Sequence, residues 1–119
     1  MILQKILEAL VAALEGLYAA VLLDNEGESV VAARRDGDDH AHRVIGAYQG
    51  IYLRDLGRAF ARCGLGEIRS FTIQFGDSCV FTESLQDGYY VVLLASDAVS
   101  QSLARRELGR AAEQLRANL

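Results

Sequence analysis

The chain has 119 residues, of which 51% are hydrophobic, and carries a formal net charge of −4. This length and composition predict a single globular domain over residues 1–119 and exclude a disordered chain. The net negative charge argues against nucleic acid or an anionic membrane as the main partner.

The first predicted elements are a helix and a pair of strands. Apolar residues recur every three or four positions over residues 2–14, which predicts an amphipathic helix. It has no basic leader and Glu8 interrupts it, so we expect no signal peptide or membrane span, and a cytoplasmic protein. An apolar strand (17–24), an Asp-Asn-Glu-Gly turn and a short strand (29–33) follow.

A long middle helix is predicted next, capped by Asp38 or Asp39 and closed by Gly64 and Gly66. Its apolar residues predict a face that packs on the sheet: Ala41, Ile45, Tyr48, Ile51, Tyr52, Leu56, Ala59 and Cys63. Small residues are predicted on the opposite side: Gly46, Gly50, Gly57 and Ala61. Because each interior glycine costs a helix about 1 kcal/mol relative to alanine, we interpret this side as the contact with the same helix of a second copy.

Three strands (68–75, 78–85 and 89–95) and a last helix (99–118) complete the order α-β-β-α-β-β-β-α. Tight turns between strands predict an antiparallel sheet. The strands 17–24 and 89–95 are apolar throughout, so we expect them side by side at the centre, with helices on both faces in a three-layer α/β/α sandwich. Strand 68–75 is then an open edge carrying Phe71 and Ile73 on one face, a second feature that predicts a homodimer.

The sequence offers no catalytic, cofactor or metal site. A G-x-x-x-x-G-K-[ST] phosphate loop is absent, so we expect no nucleotide binding. His40 and His42 point about 200° apart on a helix and would not share a metal. Cys63 and Cys79 are predicted to be buried, inert thiols. Arg34 and Arg35 either guard the edge of strand 29–33 or act as an arginine finger on a bound GTPase.

Three stretches, VLLDNEGESVVAA, FTESLQDGYYVVLLA and LARRELGRAAEQL, resemble the Roadblock/dynein light-chain family, and the resemblance covers residues 1–119. It implies a Roadblock/longin-like fold with a five-stranded sheet of order 2-1-5-4-3 that dimerises through strand three and the middle helix. Members are adaptors without chemistry of their own. Bacterial ones resemble the gliding-motility polarity regulator, which as a dimer binds a Ras-like small GTPase and speeds its hydrolysis by rearranging the GTPase's own residues.

The resemblance therefore implies a non-enzymatic homodimer that regulates a Ras-like small GTPase. A dimerisation or scaffold module for another partner and a small-ligand sensor are the alternatives. Pairing of the middle helices would leave a platform for the GTPase, which we predict to consist of Arg43, Ala47, Gln49, Leu53 and Arg54. Leu53 has the alternative of packing on its twin across the dimer.

Overall fold

The computed structural model describes residues 1–35 and 39–119. The elements follow the predicted order: α1 (Ile2–Ala13), β1 (Leu17–Leu23), β2 (Ser29–Arg34), α2 (Asp39–Arg62), β3 (Ser70–Phe75), β4 (Ser78–Ser84), β5 (Tyr90–Ser96) and α3 (Gln101–Ala117). A short 3₁₀ turn, Gln86–Gly88, joins β4 to β5. The predicted cap Asp38 lies outside the described residues.

The five strands form one antiparallel sheet of order β2-β1-β5-β4-β3, which confirms the predicted topology. The two most apolar strands, β1 and β5, pair at its centre, and nearly all of their residues are buried. Strands with apolar side chains on both faces need cover on both faces, and the helices supply it.

Helices α1 and α3 cover one face of the sheet. Their buried residues are Ile6, Leu7, Leu10 and Val11 on α1, and Ala104, Leu108, Ala111, Ala112 and Leu115 on α3. These pack with the alternate residues of β1 and β5, such as Leu22 and Leu93, in the larger apolar cluster. Because successive side chains of a strand point to opposite faces of the sheet, every second residue of β1 and β5 packs into this layer.

Helix α2 covers the other face, mainly over β1 and β5. A smaller apolar cluster lies beneath it and consists of Ala19, Val21, Leu23, Val80, Tyr90, Val92 and Leu94. Ile45 and Leu53 of α2 pack against this cluster. The three layers confirm the predicted α/β/α sandwich.

The predicted sheet-packing face of α2 was wrong. His42, Gly46, Gln49 and Gly50 are buried against the sheet, whereas most of the predicted face is exposed: Ala41, Tyr48, Ile51, Tyr52, Leu56, Ala59 and Cys63. Only Ile45, which is half-buried, packs as predicted among these residues.

The side chain of Tyr90 explains this orientation. Its hydroxyl reaches across to α2 and donates a hydrogen bond to the carbonyl of Gly46 at 3.0 Å. A Cβ at Gly50 would overlap that hydroxyl and lie 2.8 Å from Cζ of the same ring, and a Cβ at Gly46 would lie 3.1 Å from Cδ2 of Leu23. These two glycines therefore let the helix approach its own sheet, and they do not form an outward surface.

Among the described residues, no helix is both long enough and apolar enough to cross a membrane.

Candidate protein-interaction surface

An apolar stripe runs along the outside of α2. It consists of Val44, Tyr48, Ile51, Tyr52, Leu56 and Phe60, whose side chains are between 40% and 53% exposed. The rings of Tyr48 and Tyr52 neighbour each other, with centroids 6.5 Å apart. At 1.5 Å per residue the α2 stripe is about 24 Å long. A contiguous apolar surface of this kind marks an interaction site, because water solvates it poorly.

The edge of the sheet at β3 is open, and its apolar side chains lie on the α2 side of the sheet. Within the described part of the chain β3 pairs with β4 alone, so its outer backbone groups have no strand partner. Phe71 and Ile73 stand opposite Thr82 and Val80, and Val80 belongs to the cluster beneath α2. Paired residues share a face. The half-buried Phe71 and Ile73 therefore project from the side of the sheet on which α2 lies.

The opposite edge, β2, is tied to α1. The side-chain amide of Gln4 donates to the carbonyl of Ala32 at 2.7 Å. The guanidinium of Arg35 donates to the carbonyls of Leu14, at 3.0 Å, and Val11, which end α1. This favours a structural role for Arg35 over the arginine-finger hypothesis, because its donors serve the helix terminus. Arg34 is exposed at the end of β2.

The predicted GTPase platform is only partly at the surface. Gln49 is 4% exposed; its amide donates to the carbonyl of Ile45 at 3.4 Å, and its oxygen accepts from Thr82 at 3.5 Å. Leu53 packs into the cluster beneath α2. Gln49 therefore does not form part of an exposed platform, because α2 is turned about its axis relative to the expected orientation. Leu53 is half-buried, and its contact with a partner stays a prediction. Arg43 and Arg54 are exposed, and Ala47 is half-buried.

The four small residues of α2 fall into two pairs. Gly46 and Gly50 contact the sheet, so the prediction that they face a second copy was wrong. Gly57 and Ala61 line a groove of about 1000 Å³ between the second half of α2 and the turns at one end of the sheet. A Cβ at Gly57 would meet nothing within 4 Å. A role for Gly57 and Ala61 in a dimer stays a prediction.

Two titratable side chains near this end of the sheet are perturbed by burial. Desolvation raises the pKa of Tyr90, against the opposing effect of the Arg54 guanidinium. Desolvation likewise raises the pKa of Glu83, although Arg116 approaches its carboxylate at 3.4 Å and acts in the other direction. In both cases the loss of water outweighs the neighbouring positive charge.

The described residues bring together no group of three or more metal-ligating side chains. His42 lies on the buried side of α2, and its Nδ1 has no hydrogen-bond partner among the described residues. Cys79 is buried as predicted, but Cys63 is exposed, contrary to prediction. Cys63 follows the last residue of α2, and the residues of that last turn are exposed as well.

Sequence reasoning missed the α2 stripe because it assigned the most apolar side of the helix to the core. One signal could have corrected this. Tyr90 begins a central strand, and a side chain of that length needs a gap in the layer above it. Gly50 of α2 provides such a gap, because a Cβ there would overlap the Tyr90 side chain.

No protein-family model and no curated protein sequence matches this chain. Solved structures match it closely in shape. A Roadblock/LC7 domain from Streptomyces avermitilis is 17% identical, with 97% of this chain and 95% of that chain covered and a TM-score of 0.87. MglB in a tetrameric arrangement is 13% identical (97% and 85% covered, TM-score 0.88). MglC from Myxococcus xanthus is 21% identical (100% of both chains covered, TM-score 0.74). The chain therefore has the Roadblock/LC7 fold.

Proposed function

We propose that this chain is a homodimeric regulator of a Ras-like small GTPase with no catalytic chemistry of its own. The α2 stripe and the open β3 edge carry the proposal, because Phe71 and Ile73 of β3 project from the side of the sheet on which α2 lies, and no other described element covers either surface. A twofold axis beside β3 would pair the two edges into one continuous sheet and bring the two stripes together above it.

The likeness in fold to MglB and MglC supports the choice of partner. The resemblance of the sequence to the gliding-motility regulator points to the same class, a Ras-like GTPase whose own residues perform hydrolysis. The hydrogen bonds of Arg35 to the end of α1 argue against this residue as a donated arginine.

Oligomerisation has independent support. The MglB structure of the same fold has a tetrameric arrangement. The aromatic side chains of the α2 stripe are residue types enriched at protein interfaces. We infer that the revised dimer surface consists of the α2 stripe together with Phe71 and Ile73, in place of Gly46 and Gly50.

Single-turnover GTP hydrolysis tests the function. The probe is a purified Ras-like small GTPase from the same organism, loaded with GTP and mixed with the purified protein. We expect faster hydrolysis than with the GTPase alone, and no hydrolysis by this protein alone. Tyr52→Asp should abolish the acceleration by breaking the dimer, while Val30→Asp, an equally exposed apolar residue on β2, should preserve it.

The GTPase assignment would be contradicted if the rate of GTP hydrolysis were unchanged and the GTP-loaded GTPase did not co-sediment with this protein. In that case a dimer would still support the scaffold alternative, in which the same surface assembles around a different partner.

A further inference from the structure

The groove beside α2 is separate from the α2 stripe. One wall is the second half of the helix, from Gly50 to Ala61, and the other consists of residues 64–68 and the turn from Ser84 to Tyr90. None of the six side chains of the stripe lines it. Its volume of about 1000 Å³ is at the upper end of the range for pockets that hold small molecules, roughly 300–1,000 Å³.

The groove remains open because α2 carries a glycine where the fold needs none. Gly50 is required by Tyr90, but a side chain at Gly57 would have free space around it. The helix thus forgoes about 1 kcal/mol of stability at Gly57 with no packing reason in the single chain. Apolar side chains contributed by different elements, Leu53, Ile68 and Leu85, line the cavity next to it.

The charges in the groove are arranged asymmetrically. Arg54 and Arg58, one helical turn apart, lie on the α2 wall, and Glu67 and Asp87 lie on the opposite side. Arg58 is paired with Asp55 at 3.6 Å. Arg54 contacts the backbone carbonyl of Asn25 at 3.4 Å and makes no ion pair with a described residue. Arg54 thus places a cation at the mouth of an apolar cavity without an ion pair to any described carboxylate.

We propose that this groove binds a small amphipathic monoanion, an apolar body bearing one acidic group. The acidic group pairs with Arg54, and the body lies along Gly57 against Leu53 and Ile68. The carboxylates of Glu67 and Asp87 repel a second anionic group, so the ligand carries a single one. Leu53 and Arg54 also belong to the predicted GTPase platform, but the ligand site does not rest on the proposed action on a GTPase.

The test uses a matched pair of fluorescent probes. 8-Anilinonaphthalene-1-sulfonate has an aromatic body and one anionic group, and N-phenyl-1-naphthylamine is the same body without the charge. Both are titrated into the full chain and three variants. Arg54→Gln removes the cation, Gly57→Leu fills the groove at a position with free space, and Arg110→Gln makes the same charge change at an exposed site on α3.

We expect Arg54→Gln to weaken binding of the sulfonate about tenfold, the effect of losing one charge-assisted hydrogen bond, with the neutral probe unchanged. Gly57→Leu should weaken both probes about tenfold or more, and Arg110→Gln neither. Circular dichroism of each variant establishes that it is folded.

Three results would overturn the proposal: equal sulfonate affinity in Arg54→Gln and the original chain, equal weakening of both probes by Arg54→Gln, or unchanged sulfonate binding in Gly57→Leu. The last result would place the probe on the α2 stripe. If Gly57→Leu does not fold, the Arg54→Gln comparison decides alone.

Discussion

At the scale of single residues, Gly50 and Gly57 of α2 are expected to respond in opposite ways to an added side chain. Gly50 faces the ring of Tyr90, and Gly57 faces open space. We expect Gly50→Ala to destabilise the protein by about 1–3 kcal/mol through overpacking. We expect Gly57→Ala to stabilise it by roughly 1 kcal/mol, because alanine is the better helix former. Chemical denaturation of both variants measures the two signs.

A double-mutant cycle identifies the cause of the first effect. Tyr90→Phe removes the hydroxyl that a Cβ at Gly50 would overlap. The destabilisation by Gly50→Ala should therefore be smaller in the Tyr90→Phe background than in the original chain. Equal values in the two backgrounds would show that Tyr90 is not the reason for the glycine.

The half-buried carboxylate of Glu83 gives a prediction for the pH dependence of stability. Desolvation raises its pKa above the ordinary value of 4.5, so the folded state holds this proton more tightly than the unfolded state. The contribution of Glu83 to stability is thus greatest below pH 4.5 and is lost as the pH rises through the raised pKa. Glu83→Gln should be relatively more stable at pH 7 than at pH 4. The exposed Glu8→Gln serves as control, and a Glu83→Gln effect independent of pH would contradict this assignment.

At the scale of elements, Arg35 connects the end of α1 to the end of β2. Its guanidinium donates to two carbonyls of the last turn of α1, so Arg35→Ala should destabilise the protein by about 1–3 kcal/mol. The acceleration of GTP hydrolysis per folded dimer should stay the same. A loss of acceleration of 10³-fold or more, the known contribution of an arginine finger, would restore the finger hypothesis.

The α2 stripe gives a prediction for assembly. Tyr52→Asp places a charge in the centre of the proposed interface, where an unpaired carboxylate loses its hydration. We expect this variant to be a folded monomer at micromolar concentration. Val30→Asp introduces the same charge at a side chain that is also 40% exposed and should leave the dimer intact. Size-exclusion chromatography with light scattering compares the two, and a dimeric Tyr52→Asp would exclude the stripe from the interface.

The strands were more predictable from the sequence than the orientation of the helix. Continuous apolar runs at residues 17–23 and 90–95 indicate that β1 and β5 form the centre of the sheet. Helix α2, in contrast, has two sides that could face the sheet. Its orientation depends on a contact between Gly50 and Tyr90, which are distant in sequence, and on an apolar side reserved for the surface. The local periodicity of the sequence indicates neither the contact with Tyr90 nor which apolar side of α2 stays at the surface.

At the scale of the whole molecule, the two edges of the sheet differ in whether another element is bonded to them. Hydrogen bonds of Gln4 and Arg35 connect α1 to β2 and to the residue that follows β2. Among the described residues, no strand pairs with the outer side of β3. A pair of chains joined through β3 would present only the β2 edges at its two ends. The expected assembly is therefore a closed dimer and not an open-ended fibre.

The central claim is that this chain dimerises through the α2 stripe and β3, and sedimentation equilibrium of the purified protein tests it most directly. The structure predicts a dimer of two 119-residue chains at micromolar concentration, which Tyr52→Asp converts to a folded monomer. A monomer of the unaltered protein at that concentration would contradict the account.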